Sequence, residues 1–258
     1  MSEAMVPIFD VIVVGYNSPV LASPSVTVAQ ESPLVRAVFY CDNSTEPVIR
    51  AQNQNASLEK VVYIDVGGNH GISRAYNVAI NRVRAPYVVL FDDDTAVSEG
   101  FFEGAATWVL GSESGVFVPV VTVDGRAFSP CRRIFGTFRP VGNLSRIPVD
   151  FSGINSGMVI SADVFADYRY DERLFLEFVD HKFVSDTRSR GIRVTLMPDV
   201  VLEQSFSAVH DDCDAAYSRH EIFRRDSAVY YSGLSGRAVR WVRLGLRFVK
   251  LARMGIRR

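Results

Sequence analysis

Apolar residues along this chain fall into short runs that end in small or polar residues, with helical spacing between some of them. Phe9-Asp10-Val11-Ile12-Val13-Val14 stops at Gly15-Tyr16-Asn17-Ser18-Pro19, a turn composition. Residues 34–41 repeat the pattern and end in Asp42-Asn43-Ser44-Thr45; residues 61–66 repeat it again and end in Gly67-Gly68-Asn69-His70-Gly71. Runs this short and apolar predict buried strands of a parallel sheet. Between the first two strands, Ser23-Pro24 and Ser32-Pro33 leave room for only a short helix. From Ile72 to Arg82 the positions Ile72, Ala75, Tyr76, Ala79 and Ile80 recur at helical spacing, and Ser73 is placed to help cap the start. Tyr87–Phe91 then completes a strand-helix-strand unit, whose crossover should be right-handed.

The second half is less regular. Residues 99–110 predict a helix with Phe101, Phe102, Ala105, Trp108 and Val109 on one broad face, and 115–120 a strand. Residues 124–148 carry Arg126, Arg132, Arg133, Arg139 and Arg146 without strong periodicity. An irregular stretch of that length suggests a lid or binding loop, or disorder, and its arginines suit an anionic substrate. A glycine-bearing edge from Phe151 runs into a strand ending at Ile160, followed by a short helix over 162–165. Phe183, Val184 and Thr187 belong to a helix that runs to Arg190 and ends at Gly191. Residues 193–197 form a last strand before Pro198.

Chemistry concentrates at one strand end. Tyr87-Val88-Val89-Leu90-Phe91 leads directly into Asp92-Asp93-Asp94, and open α/β sheets bind ligands beyond the carboxyl ends of their strands. Three adjacent carboxylates repel one another, so they fit either a solvated loop or a cation site. Alternate residues of an extended tripeptide face the same way, which lets Asp92 and Asp94 share one divalent ion with Asp93 turned aside. Mg2+ or Mn2+ is the expected ion, because hard cations take oxygen ligands and share them with substrate phosphates. Asp42, Asn69 and the acids all lie beyond strand ends and can share one cleft. The Gly67–Gly71 loop is either a tight turn or an anion cradle; it has neither a Walker lysine nor the dinucleotide-binding glycine spacing. Glu177 and Asp180 are three apart; if the helix begins by Glu177 they share a face near its amino end. They are then either helix-terminal acids or, in a cleft, a general base.

Length and composition narrow the class. The chain has 258 residues, 48% hydrophobic and 22% charged, with a formal net charge of -1, ordinary for a globular α/β protein of one large or two small domains. The charge balance gives no indication of a nucleic-acid partner. Three cysteines, Cys41, Cys131 and Cys213, have no metal-ligand spacing and fit a reducing compartment. No leader or membrane-spanning pattern is visible, so a cytoplasmic location is expected.

Taken in order, Gly-Tyr-Asn, Asp-Asn-Ser, the Asn-x-Gly loop before a helix bearing Asn77, the acidic triplet, Asn155-Ser156-Gly157 and Val179-Asp180 form a specific series. It resembles the inverting family 2 glycosyltransferases, in particular the rhamnosyl- and galactofuranosyl-type branch of bacterial surface polysaccharide synthesis. The resemblance covers residues 9–200 and continues more loosely to about 232. It implies a GT-A fold: a single Rossmann-like, mixed and mostly parallel sheet flanked by helices. The catalytic domain would span 1–232, with a nucleotide-binding half at about 9–122 and an acceptor half at about 123–232.

The same resemblance implies roles. Tyr16 and Asn17 would line the nucleotide pocket, and Asp42 would accept from a pyrimidine N–H. Asn69, Gly71, Arg74 and Asn77 would frame the nucleotide and strand edge. Asp92 and Asp94 match the DxD metal motif, with Asp93 near the donor ribose or sugar. Asn155, Ser156 and Gly157 match the segment beside the donor sugar, and Asp180 the catalytic base, with Glu177 second. Many relatives have a histidine after the last strand; here Gln204 stands near that place, and His210 is the remaining candidate third metal ligand. The segment 207–217 would be an acceptor-side loop, and Arg224-Arg225-Asp226 resembles the branch's Arg-Asn with its second residue changed. The donor would be a UDP- or dTDP-sugar and the acceptor a glycan or lipid-linked glycan.

After residue 232 the pattern changes. Arg237, Arg240, Arg243, Arg247, Lys250, Arg253 and Arg257 follow helical spacing between Val239, Trp241, Leu244, Phe248 and other apolar residues, with no acid. Residues 233–258 thus predict an amphipathic helix with one cationic and one apolar face. Such a helix suits an anionic membrane, placing the protein peripherally on the inner face of the cell membrane. The other possibility is that its apolar side packs on the catalytic domain or a second copy, making a homo-oligomer. Two alternative functions remain: a nucleotidyltransferase of similar fold, though the first strand lacks a glycine- and lysine-bearing loop, or an inactive nucleotide-sugar-binding subunit.

Overall fold

The computed structural model describes residues 6–204 and 213–253. In chain order the elements are β1 (Phe9–Gly15), α1 (Pro24–Glu31), β2 (Val35–Asp42), α2 (Pro47–Asn55), β3 (Val61–Asp65), α3 (Ile72–Ile80), β4 (Tyr87–Asp92) and α4 (Phe101–Leu110). There follow β5 (Val116–Val123), β6 (Arg126–Ser129), β7 (Cys131–Ile134), β8 (Thr137–Pro140), β9 (Val159–Ser161), α5 (Val179–Ser189), β10 (Val194–Glu203), α6 (Cys213–Tyr230) and α7 (Leu234–Arg253).

One sheet runs in the order β10-β5-β9-β4-β1-β2-β3, with β6 added to β5. Along that path only β9 is antiparallel to its neighbours, β4 and β5. Both faces are covered, which explains the continuous apolar runs. Ile12 and Val14 pack with Ala75, Tyr76, Ala79, Phe183 and Val184 of α3 and α5. Phe9, Val11 and Val13 pack on the opposite face with Val26, Phe101, Phe102 and Val109 of α1 and α4. The one acid in β1, Asp10, accepts from Arg36 at 2.6 Å and from the backbone N–H groups of Arg84 and Ala85.

Several elements differ from the sequence pattern. The short helix after β1 is α1, with Ser23 accepting from the Val26 N–H and Pro24 in the first turn. The N-cap position of α3 is Gly71 rather than Ser73, whose buried hydroxyl has no partner among the described residues. The stretch 124–148 is no plain loop: β6 pairs with β5, and β7–β8 form a hairpin. β10 continues past Pro198 to Glu203 across a register shift. α5 begins at Val179, so Glu177 lies outside the helix and does not share a turn with Asp180. Residues 213–217, expected in a loop, open α6; residues 207–212 and His210 lie outside the described residues.

Candidate active site

Parallel register carries the candidate residues to one sheet edge. Gly15 pairs with Asp42, and Val14 with Asp92. The segment before β9 closes over the same edge, since the Gly157 N–H donates to the Leu90 carbonyl at 2.7 Å. Gly157 has φ +74, and a Cβ there would overlap Leu202 and Pro119, so only glycine lets the chain lie this close. This seats Ser156 beside Asp92: its Oγ donates to Asp92 Oδ2 at 2.6 Å. Gln204 Nε2 donates to Ser156 Oγ at 3.0 Å and lies 3.4 Å from Asp92 Oδ2.

The triplet is electrostatically unfavourable without a cation. Burial pushes the Asp92 carboxyl above the ordinary aspartate range; the Ser156 hydrogen bond opposes this, and the charges of Asp94 and Asp180 add to it. Asp93 is pushed up to about 6, chiefly by burial. Asp94 is raised by burial as well. No ion pair is formed by any of the three among the described residues. The carboxylates of Asp92 and Asp94 and the buried Oε1 of Gln204, which has no hydrogen-bond partner among the described residues, are oxygen ligands of the kind Mg2+ or Mn2+ takes. The residues therefore fit a hard divalent ion, although no group of three or more His, Cys, Asp or Glu assembles among the described residues.

In the loop after β1, Tyr16 is 52% exposed. Asn17, with φ +52, accepts from the N–H groups of Thr45 and Glu46 and so joins the loops after β1 and β2. Asp42 lies beneath the cleft surface: it is 0% exposed and accepts from Ser44 N–H at 2.9 Å, Asn53 at 3.0 Å and Tyr63 OH at 3.3 Å. Its carboxylate braces the partly exposed Tyr63 instead of meeting solvent. Asn69 accepts from the Gly71 N–H at 3.4 Å, and Arg74 is exposed on α3. Asn77 is committed elsewhere. Its amide pairs with both backbone groups of Tyr170 and with Glu172, clamping the segment that leads to α5. Asn155 is buried, and its Oδ1 has no partner among the described residues.

Across from the acids stands the start of α5. Asp180 occupies its first turn, after Phe178 in the left-handed region at φ +68. Asp180 Oδ1 accepts from the His181 N–H at 2.6 Å. His181 stacks on Phe138 of β8 at 3.5 Å and shares its Nδ1 with Ser152 Oγ at 2.8 Å. Burial lowers the His181 pKa, so the ring is held neutral. The Glu177 carboxyl is pushed up by burial, against the pull of Arg247 at 3.4 Å.

The loop before α5 is held by a residue that the sequence pattern does not mark. Asp226 of α6 is fully buried, and its Oδ2 accepts from the N–H groups of Phe175, Leu176 and Glu177 at 3.1, 2.8 and 2.9 Å. Three consecutive N–H groups converging on one oxygen form an anion nest. Its sequence signal is the Arg224-Arg225-Asp226 run, which resembles the branch's Arg-Asn but carries no role in that resemblance.

A mixed, mostly parallel sheet with helices on both faces and a carboxylate-lined carboxyl edge defines a GT-A type α/β protein. A profile of the glycosyl transferase family 2 matches residues 10–169, and the chain belongs to that family. The dTDP-rhamnosyl transferase RfbF of Shigella flexneri is 25% identical over 198 residues, covering 73% of this chain and 66% of that protein. This chain thus spans just under two thirds of that relative's length. The mannosyltransferase PcManGT from Pyrobaculum calidifontis, solved with GDP-Man and Mn2+, superposes with a TM-score of 0.64 at 14% identity, covering 97% of this chain and 74% of that one. S. aureus TarS 1-349 in complex with UDP-GlcNAc gives 0.56 at 16% identity, covering 85% and 65%. At these identities the superpositions speak for the fold alone.

Proposed function

We propose that the protein transfers a sugar from a UDP- or dTDP-sugar to a hydroxyl of a glycan or lipid-linked glycan, with inversion, in bacterial surface polysaccharide synthesis. The observation that carries this is the buried Asp92 carboxylate, bonded by Ser156 Oγ at 2.6 Å beside Asp93 and Asp94 at the carboxyl edge of the sheet and close enough to Asp180 to feel its charge. Family membership and the likeness to a dTDP-rhamnosyl transferase support it.

In this reading Tyr16 and the Asn17 turn border the base, Asn69, Gly71 and Arg74 frame the nucleotide, and Tyr63, braced by Asp42, borders the same pocket. Asn155, Ser156 and Gly157 border the donor sugar, with Asp93 near the ribose. Asp92 and Asp94 would hold Mg2+ or Mn2+, with Gln204 beside them and His210 a further candidate; the ion, when bound, offsets the diphosphate charge. Asp180 accepts the proton of the acceptor hydroxyl as its oxygen bonds to the anomeric carbon. The bond from that carbon to the diphosphate oxygen breaks with its electron pair, leaving the nucleoside diphosphate. Glu177, paired with Arg247, is the less suited base. Holding both reactants in line supplies much of the acceleration. A lipid-linked acceptor would place the enzyme on the inner face of the cell membrane.

The test is a calorimetric titration with UDP, dTDP, GDP and CMP, with and without Mn2+ or Mg2+, on wild type, Asp92→Ala and Asp180→Asn. Binding of UDP or dTDP that needs metal and Asp92, retained in Asp180→Asn while turnover is lost, is the expected result. Nucleotide binding indifferent to metal and to Asp92 would sink the reading.

A further inference from the structure

The carboxyl-terminal helix is amphipathic, but it is mounted with the opposite face inward from the simplest expectation. Its arginines turn toward the domain: Arg240 reaches Ser227 Oγ at 3.2 Å and Arg243 the Tyr231 hydroxyl at 3.2 Å. Arg247 lies 4.3 Å from the Phe223 ring centre and pairs with Glu177. The outward face is left apolar, with Trp241, Val242, Leu246, Phe248 and Val249 all exposed. No described helix is long and apolar enough to cross a membrane.

A second element extends this face. The tip of the β7–β8 hairpin carries Phe135, which is 95% exposed at φ +46. The neighbouring Gly136 meets α7 so closely that a Cβ would stand 2.7 Å from Val239, and its carbonyl accepts from Tyr231 OH at 2.6 Å. Phe135 therefore stands where the hairpin joins the apolar stripe. The hairpin and the start of α7 also carry cations. Arg132 and Arg139 face each other across the hairpin, an arrangement that like charges disfavour. Neither they nor Arg237 form an ion pair among the described residues. Neither 131–146 nor 234–253 contains an acid.

We infer that the Phe135 hairpin tip and the outward face of α7 form one docking surface for an anionic lipid bilayer. Exposed aromatic and aliphatic side chains enter the interface, and Arg132, Arg139 and Arg237 meet lipid phosphates. The charge pattern favours lipid over a second copy, since self-pairing would set a cationic, acid-free surface against its like. The same hairpin places Phe138 on His181, next to Asp180, so docking would present the acceptor side of the cleft to the membrane. The surface rests on the glycosyltransferase reading only for the identity of what the membrane delivers.

The experiment is flotation with vesicles of phosphatidylcholine alone or with about a third phosphatidylglycerol, together with Trp241 emission in a Trp108→Phe background. Wild type should float with the anionic vesicles only, and its emission should shift to the blue. Phe135→Ser and Trp241→Ser should each lower partition about tenfold, and Arg132→Gln with Arg139→Gln by a similar factor. Val48→Ser, at an exposed apolar residue of α2, should leave it unchanged, and each variant's melting curve checks its folding. Failure of wild type to float, or equal flotation of folded Phe135→Ser and Trp241→Ser, would overturn the inference. So would a solution dimer dispersed by Leu246→Asp without vesicle binding. Metal-dependent nucleotide binding, measured on the same samples without lipid, reports on the cleft separately.

Discussion

Removing the carboxylate of Asp226 should loosen the loop that leads to Asp180. One buried oxygen takes three successive backbone N–H groups, and the second oxygen lies 3.2 Å from Arg225 Nε. Charge-assisted bonds contribute about 1.5–3 kcal/mol each when isolated, but three donors sharing one oxygen are not additive. Asp226→Ala leaves those N–H groups buried without an acceptor, for which about 3–5 kcal/mol is the expected loss. At this chain length that corresponds to a melting temperature lower by on the order of 10 °C. Asp226→Asn keeps an acceptor and loses the charge, costing about 1–2 kcal/mol. Where the loss is confined to residues 175–177, it shows as local opening instead of global melting. Under the role proposed for Asp180, kcat should fall in both variants while the KM for donor stays near wild type, because the nest holds the loop before Asp180 and touches neither Asp92 nor Ser156. Thermal melts, amide hydrogen exchange at Leu176 and Glu177, and steady-state kinetics read these terms. An Asp226→Ala protein that melts within about 2 °C of wild type, with unaltered exchange and kcat, would refute the reasoning.

Two further perturbations test neighbouring links. Gly71 has φ +87, and an added Cβ would lie 2.5 Å from the Phe175 carbonyl oxygen, so Gly71→Ala should cost about 2–4 kcal/mol by urea unfolding; a cost under about 0.5 kcal/mol would show that the Phe175 loop yields freely. His181 is held neutral by burial, whereas in the unfolded chain it takes up a proton near about pH 6.5. Its folded pKa is depressed, so its contribution is full above that pH and is lost as pH falls toward the folded value. His181→Gln should therefore flatten the acid-side fall of melting temperature just below about pH 6.5; parallel curves for the two proteins would contradict the assignment.

The sheet was legible because its strands are buried on both faces, which writes β1, β2 and β4 as apolar runs. The candidate residues near strand ends, such as Asp92 and Ser156, are brought together at one edge. What escaped the pattern has physical causes. α2 buries essentially one side chain, Asn53, whose amide serves Val20, Ser18 and Asp42, so no apolar period announces it. β6, β7 and β8 are four residues each with one or two exposed positions, too short to show alternation among arginines. Asn77 and Asp42 have the residue types of ligand contacts, yet both spend their polar atoms on the backbone and side chains that shape the cleft.

The orientation of α7 shows why composition alone misplaces an amphipathic helix. Arginine is expected outward, but here the domain offers it aromatic faces and acceptors. Arg243 lies 5.2 Å and Arg247 4.3 Å from the Phe223 ring centre, contacts worth about 0.5–2 kcal/mol each as water is excluded. Arg243 and Arg247 also find Tyr231 and Glu177 as polar partners. Phe223 packs with Phe178, the left-handed residue just before α5, and Phe178 stacks on Tyr230 at 4.7 Å. The inward arginines therefore bind the same aromatic cluster that fixes the turn into Asp180. A helix that would otherwise read as a detachable anchor becomes part of the wall behind Asp180, and its apolar face is turned outward as a consequence. Any surface that engages that face acts on an element already tied, through Arg247 and Glu177, to the loop that Asp226 holds.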